Sequence, residues 1–356
     1  MDRNLRGTAV ATLALAIASS AAFAEAKTIK LTVIAPAPPT VTYVKITKEK
    51  LLPDIDKRLA ASGQDLKIEW NQAYAQSLAL AHETFEAVTE NIAQVGLIVK
   101  NFEESKLPLE QYAQIAPFGT ATMAQMNVID RNMRAKVPAM NEQYAKHGQH
   151  FVIGGISPSY ELFTTFPVRT VADLKGRKIG SSGSLGQFFR GTGAVVVNSA
   201  MVESYTSIRN GVYEGYPISI ALAFPFRTYQ AAKNYTEVGF GVISSTALTV
   251  NTDTWKSLPD VVRRIFEEAT ASWPTDQIAM DDARIATFTA NMKKDGVTFY
   301  EMPLAERKRW ATMMPNIAKE WAEAQESRGL PGRAVLTAYM DELRALKTEM
   351  IREWDK

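Results

Sequence analysis

The sequence contains no cysteine. That absence excludes disulfides, a thiol nucleophile, thiolate zinc sites and an N-terminal lipid-modified cysteine. Histidine is scarce: His82, His147 and His150 form no H-E-x-x-H and have no thiolate partner, so no metal site is expected. Beyond the N-terminus no apolar run approaches the roughly 20 residues that a bilayer span requires. Neither positive nor negative residues are in clear excess. The 40 Lys and Arg residues nearly balance the 38 Asp and Glu, which argues against nucleic acid or an anionic membrane surface as a partner, since either calls for a basic patch.

Catalytic patterns are equally absent. Gly180-Ser181-Ser182-Gly183-Ser184 and Gly155-Ile156-Ser157 both lack the second glycine of a nucleophile elbow. Glu103-Glu104 and Glu267-Glu268 are adjacent pairs, which do not face each other on a helix. No catalytic residues and no cofactor are therefore expected.

What is present begins with an export signature. Arg3 and Arg6 precede an apolar run from Thr8 to Ala18, and Ala22-Phe23-Ala24 supplies a small-x-small cleavage site, so residues 1–24 read as a secretory signal and the mature chain as periplasmic. Only 18 positions separate Arg6 from Glu25, too few and too alanine-rich for a membrane anchor.

The mature chain alternates strand and helix. Ile29-Lys30-Leu31-Thr32-Val33 has the period of a half-buried strand, and Leu66 to Trp70 is a second. Between them a helix runs to about Ser62, with Leu51, Leu52, Ile55 and Leu59 on one side, a bend expected at Pro53 and a stop at Gly63. Val95 to Val99 is continuously apolar, as a strand buried on both faces would be. This pattern predicts α/β with a mostly parallel sheet. Phe85, Val88, Asn91, Ile92 and Gly96 are echoed by Tyr205, Ile208, Gly211, Val212 and Gly215, each an aromatic-led helix turning into a strand; either the echo is chance or the chain holds two similar lobes. A helical stripe then starts after Pro259 and continues to about Lys294, with a kink expected at Pro274, and two further helices end the chain.

One segment, Asp173 to Phe189, reads as a strand, a glycine-rich loop and a helix. Gly180, Gly183 and Gly186 are spaced three apart with no Lys following, which fits neither a P-loop nor a dinucleotide fingerprint. With its surroundings, however, the segment carries a longer pattern: Asp173, Leu174, Lys175, Gly176, Lys178 and Ile179; then Gly193, Ala194 and Val197; then Glu203, Tyr205, Thr206, Gly211, Val212, Glu214 and Gly215. Phe85-Glu86-Ala87-Val88, Val95-Gly96 and Trp255-x-x-Leu258-Pro259 extend it. The chain thus resembles the solute-binding subunits of tripartite ATP-independent periplasmic (TRAP) transporters.

The resemblance implies a two-lobed α/β fold of the periplasmic-binding-protein kind (type II-like), joined by crossing strands and a long kinked helix, that closes on a ligand. Expected lobes are residues 25–157 with 246–285, and 158–245 with 286–356. The expected partners are a small organic acid and the membrane subunits of a TRAP transporter, with the protein a monomer. Two alternatives stand beside this: a binding protein of the same fold serving a sensor or another transporter, and a secreted enzyme on the same scaffold.

The chain departs from the family where a substrate-binding arginine usually follows the K-I pair: here stands Gly180. A second family arginine falls near Tyr160, the usual aromatic before the Glu203 helix becomes Met201, and a polar position falls near Ile218. Losing a bidentate arginine removes about 2 to 3 kcal/mol of charge-assisted bonding. Ser181, Ser182 and Ser184, with Gly183, either replace it as an anion site at a helix start or merely cap that helix. Lys100, at the end of the buried strand, is a second candidate; it is otherwise a solvated lysine. Arg190 and Arg227 read more readily as ion-pair partners. The remaining expected pocket, Tyr43, Phe118, Tyr160, Met201, Tyr216, Ile218 and Phe224, is apolar or aromatic, which favours an aromatic or hydrophobic monocarboxylate over a dicarboxylate.

Overall fold

The computed structural model describes residues 26–119 and 122–356. The expected signal, residues 1–24, lies outside them. Eleven strands form two sheets among the described residues. The first holds β1 (Lys27–Ile34), β2 (Leu66–Ala73), β3 (Val95–Val99), β4 (Gln149–Ser157) and β10 (Ile243–Asn251), in the order β2-β1-β3-β10-β4. The second holds β5 (Glu161–Thr164), β6 (Lys178–Ser181), β7 (Val195–Asn198), β8 (Gly215–Ile218), β9 (Asn234–Glu237) and β11 (Thr298–Glu301), in the order β11-β9-β5-β8-β6-β7.

The expected parallel pairing is present, with one exception per sheet. β1 pairs parallel with β2 and β3, whereas β10 runs antiparallel to both β3 and β4. β6 pairs parallel with β7 and β8, whereas β5 runs antiparallel to β8 and β9. These two strands are where the chain crosses between lobes: β4 leads through Pro158 into β5, and β9 leads through Gly239 into β10. Glu161, opening β5, ties the two crossings together by accepting the N–H groups of Val238 at 2.6 Å and Gly239 at 2.8 Å.

The apolar periodicities become packing. β3 is buried between two neighbours, as its uninterrupted apolar run requires. Leu51, Leu52, Ile55 and Leu59 all enter the core of the first lobe. Pro53 produces no simple bend: a π-helical turn, Thr47–Leu51, precedes Leu52–Ala61 and leaves the proline in the first turn, where its missing N–H is harmless. Pro274 behaves similarly. The expected single kinked helix is two, Asp260–Thr270 and Trp273–Lys294, with the proline opening the second.

That second helix spans the molecule, its 22 residues covering about 33 Å. Trp273 at its start lies in the core of the first lobe and donates its indole N–H to Thr47 Oγ1 at 3.0 Å. Phe288 near its other end stacks on Phe224 with ring centres 4.2 Å apart, and Met292 joins the core of the second lobe. The helix Met123–Lys136 also serves both sides. It packs against β4 and β10 while sharing a core with the C-terminal helix Gly332–Ala345, where Tyr112 and Tyr339 meet edge to face at 5.1 Å.

Candidate ligand-binding cleft

The carboxyl ends of strands from both sheets converge on one cavity, of about 60 Å³. This is the place where open α/β sheets receive ligands, because the chain must leave each strand there and the loops frame a crevice. From the first lobe, Pro36 and Ala37 follow β1, Val99 ends β3 with Asn101 and Phe102 after it, Ser157 ends β4, and Ser245 and Thr246 lie in β10. Tyr43 enters from the short helix Thr42–Ile46. From the second lobe come Ser182 after β6, Met201 and Val202 beyond β7, and Ala221, Leu222 and Phe226 beyond β8. Tyr160 sits on the crossing between β4 and β5, and Gln277 and Asp281 project from the spanning helix.

Room for a few water-sized groups remains in the cavity, and its polar atoms are short of partners. Tyr43 Oη, Ser182 Oγ, Thr246 Oγ1 and Gln277 Oε1 are buried without a hydrogen bond. Such groups are costly unless something completes them. Burial, with Tyr160 adding to it, pushes the Tyr43 phenol well above its ordinary value, and burial does the same to Tyr160. Both therefore stay protonated and able to donate. Asp281 is the only charged residue among the described residues lining the cavity. Burial pushes its carboxyl up to about 6, opposed by the bond from the Thr42 hydroxyl and by the charge of Arg284.

Of the residues expected from sequence, Tyr43, Tyr160, Ser182 and Met201 line this cavity. The others stand elsewhere. Lys100 is no solvated lysine: its ammonium is fully buried, 2.8 Å from Glu110 Oε2 and 2.7 Å from Ser244 Oγ, with Asp130 at 3.7 Å. Arg134 completes this cluster by bonding Glu110 through both terminal nitrogens at 2.8 Å. The carboxylate partners consume the charge that the sequence reading offered to a ligand. Asp130 is buried, yet Arg134 and Lys100 hold its carboxyl well below the usual range.

Gly180 has no room for any side chain. A Cβ there would overlap the ring of Tyr213, which lies flat against the glycine and donates to or accepts from Ser199 at 3.1 Å. The aromatic ring occupies the space through which an arginine would have to leave the strand. Phe118 packs on Phe240 in the core of the second lobe, and Ile218 lies in the same core. Tyr216 donates to the Ser199 carbonyl at 2.8 Å, and Phe224 is sandwiched between Tyr229 and Phe288. Arg190 pairs with Glu320 at 2.5 Å, while Arg227 bonds Gln230 at 2.9 Å.

The glycine-rich loop resolves differently from either sequence reading. It opens a seven-residue 3-10 segment, Gly183–Phe189, rather than an α-helix, and Ser182 makes no cap. The backbone N–H and hydroxyl of Ser184 instead meet the carboxylate of Glu104, and the same hydroxyl lies 3.1 Å from Gln111 Oε1. Gly183 has φ of +53° and presses so closely on Glu104 and the Asn101 carbonyl that a Cβ would collide with both. The loop is thus a contact between the lobes, with a carboxylate of the protein itself at the donors. Ser181 Oγ beneath it is buried and unpartnered.

Sequence reasoning missed Gln277, Asp281 and Thr246. A signal existed for the first two: Trp273, Gln277, Asp281 and Phe288 fall on one side of the helix, so two polar residues interrupt a buried stripe that is otherwise apolar. Thr246 gave none, being one of several hydroxyls in β10.

Known structures share this architecture. An extracytoplasmic solute receptor of Bordetella pertussis that binds pyroglutamic acid is 18% identical, with a TM-score of 0.75 over 87% of this chain and 99% of the other. A TRAP solute-binding protein of Rhodoferax ferrireducens, solved with copurified benzoate, is 16% identical, with a TM-score of 0.78 over 90% and 98%. A third, from Sulfitobacter with bound galacturonate, is 15% identical, with a TM-score of 0.76 over 87% and 99%. At these identities the likeness concerns the fold. The sequence profile of the bacterial extracellular solute-binding proteins, family 7, matches residues 61–325, and the chain belongs to that family, the solute receptors of TRAP transporters.

Proposed function

We propose that this receptor captures a small monocarboxylate with an apolar or aromatic body and presents it to the membrane subunits of a TRAP transporter. One observation carries the reading: the cleft is walled by Val99, Phe102, Met201, Leu222 and Phe226, is lined by no lysine or arginine among the described residues, and holds hydroxyls without partners. Protonated phenols and serine or threonine hydroxyls are donors, so Tyr43, Tyr160, Ser182 and Thr246 hold the carboxylate in place of the family arginine. Neutral donors bind an anion less strongly than a guanidinium does, and the apolar walls supply the remainder by excluding water. Both lobes contribute, so a bound acid stabilises their approach through its differential affinity for the closed arrangement. The relatives solved with benzoate and pyroglutamic acid accord with this class of ligand.

The test is a thermal-shift screen of the chain lacking residues 1–24, followed by calorimetry. A ligand present at 100 times its Kd adds about 2.7 kcal/mol of stability. Benzoate-sized monocarboxylates are expected to raise the melting temperature. Tight binding of succinate or malate, with no response to monocarboxylates, would overturn the proposal.

A further inference from the structure

Opposite the hydroxyls, the spanning helix brings a different chemistry to the same cleft. Gln277 and Asp281 stand four residues apart on Trp273–Lys294, one turn of helix, and each is 2% exposed. The Gln277 amide nitrogen donates to the Ile156 carbonyl at 2.6 Å, which fixes the orientation of the amide. Its Oε1 can only accept, and it has no donor. Asp281 receives the Thr42 hydroxyl and a bond from the Gln277 side chain, while a carboxylate offers about four acceptor positions, more than two donors fill. Arg284, one turn on, does not line the cavity and is held by Thr42 Oγ1 at 2.9 Å and the Thr40 carbonyl at 2.7 Å. It balances the charge of Asp281 through Thr42 without supplying a proton to the cleft. Gln277 Oε1 therefore lacks a donor: the Thr246 hydroxyl, which lies against Gly155 beside it, makes no bond to it.

We infer, on the reading that the hydroxyls hold a carboxylate, that the ligand carries an uncharged N–H or O–H donor on its body, which bonds Gln277 and Asp281: a hydroxylated or lactam-bearing monocarboxylate rather than a plain hydrocarbon acid. A site built to hydrogen-bond a donor rejects the analogue lacking it, because its own acceptor is then buried unpaired. The same wall rejects dicarboxylates, whose second carboxylate would face Asp281. An ammonium donor is not called for, since Arg284 already stands beside that carboxyl.

Calorimetry on the unaltered protein with matched probes tests this: benzoate against 4-hydroxybenzoate and 4-methoxybenzoate, and cyclopentanecarboxylate against 5-oxopyrrolidine-2-carboxylate. The donor-bearing member of at least one pair is expected to bind about 10- to 100-fold more tightly, the range set by one unmet buried acceptor. Gln277→Met is expected to reduce that preference to about threefold or less, by weakening the donor-bearing acid and by relieving the penalty on the donor-free one. Should the variant fail to fold, the matched pairs decide alone. Equal affinities within both pairs would overturn the inference and leave the monocarboxylate reading standing. Binding of succinate with no response to any of these monocarboxylates would remove that reading, and this inference with it.

Discussion

The two lobes share a frame and differ in what they place on it. Read from one edge, β2-β1-β3-β10-β4 has the same succession as β7-β6-β8-β5-β9, including the antiparallel strand that each lobe receives from the other half of the chain. The helix before each central strand even ends alike. Asn91 at φ +57° donates to the Val88 carbonyl at 3.1 Å, and Gly211 at φ +71° donates to the Ile208 carbonyl at 3.0 Å. Beyond the central strands the resemblance stops: Lys100 after β3 is locked among Glu110, Asp130 and Ser244, whereas Ser219 after β8 keeps a buried hydroxyl with no partner. The shared frame sets where the cleft lies. The unshared ends differ in chemistry, the first lobe being fixed there by buried ions while the second carries a spare buried hydroxyl.

Breaking the anchor is the most severe test of that contrast. Lys100→Met leaves Glu110 and Asp130 with Arg134 alone and is expected to cost about 3 to 5 kcal/mol, measured by urea unfolding. Unfolding within about 1 kcal/mol of the parent would mean that the cluster does not anchor the lobe.

Next in size is the contribution of Asp281. Its carboxyl moves from 3.8 in the unfolded chain to about 6 in the folded one, so the folded state favours the proton. The stabilisation is present in full below about pH 4 and is lost as pH rises through 6, amounting to about 3 kcal/mol. Measured against Asp281→Asn, which cannot titrate, the parent is expected to lose ground across this window; parallel curves would refute the assignment.

Gly180→Ala is expected to destabilise by about 1 to 3 kcal/mol through overlap with Tyr213, and Tyr213→Ala in the same chain should relieve the overlap. Additive losses in the double variant would show that the ring does not hold this position. The smallest effect is predicted for Ser219→Ala. Removing an unpartnered buried hydroxyl should change stability by less than about 1 kcal/mol, in either direction. A larger loss would reveal that the second lobe is anchored after all.

Much of this frame was legible in the sequence because it rests on local pattern. The alternation in β1, the apolar run of β3 and the paired helix ends around Asn91 and Gly211 depend on neighbours a few residues apart. The site was less legible because its atoms converge from distant segments. Nothing near Lys100 announces Asp130 or Ser244, and nothing beside Ser184 announces that Glu104 reaches its N–H from the other lobe. Gly180 was visible as a departure, but that a tyrosine 33 positions on would fill the vacated space depends on the pairing of β6 with β8. Tyr43, Tyr160, Ser182 and Met201 line the cavity whereas Phe118, Ile218 and Phe224 lie in the core or stack within it, a division that aromatic and aliphatic character alone does not draw.

The placement of β10 has a consequence for biosynthesis. It lies between β3 and β4, and among the described residues β4 has no other partner in its sheet. A chain made from its N-terminus therefore carries an unfinished first sheet until Asn251 has been added, whatever the second half has done meanwhile. Pairing over such separations is slow, because loop closure comes before any reward. The first sheet therefore closes only after strands β5 to β9 of the second lobe have been made.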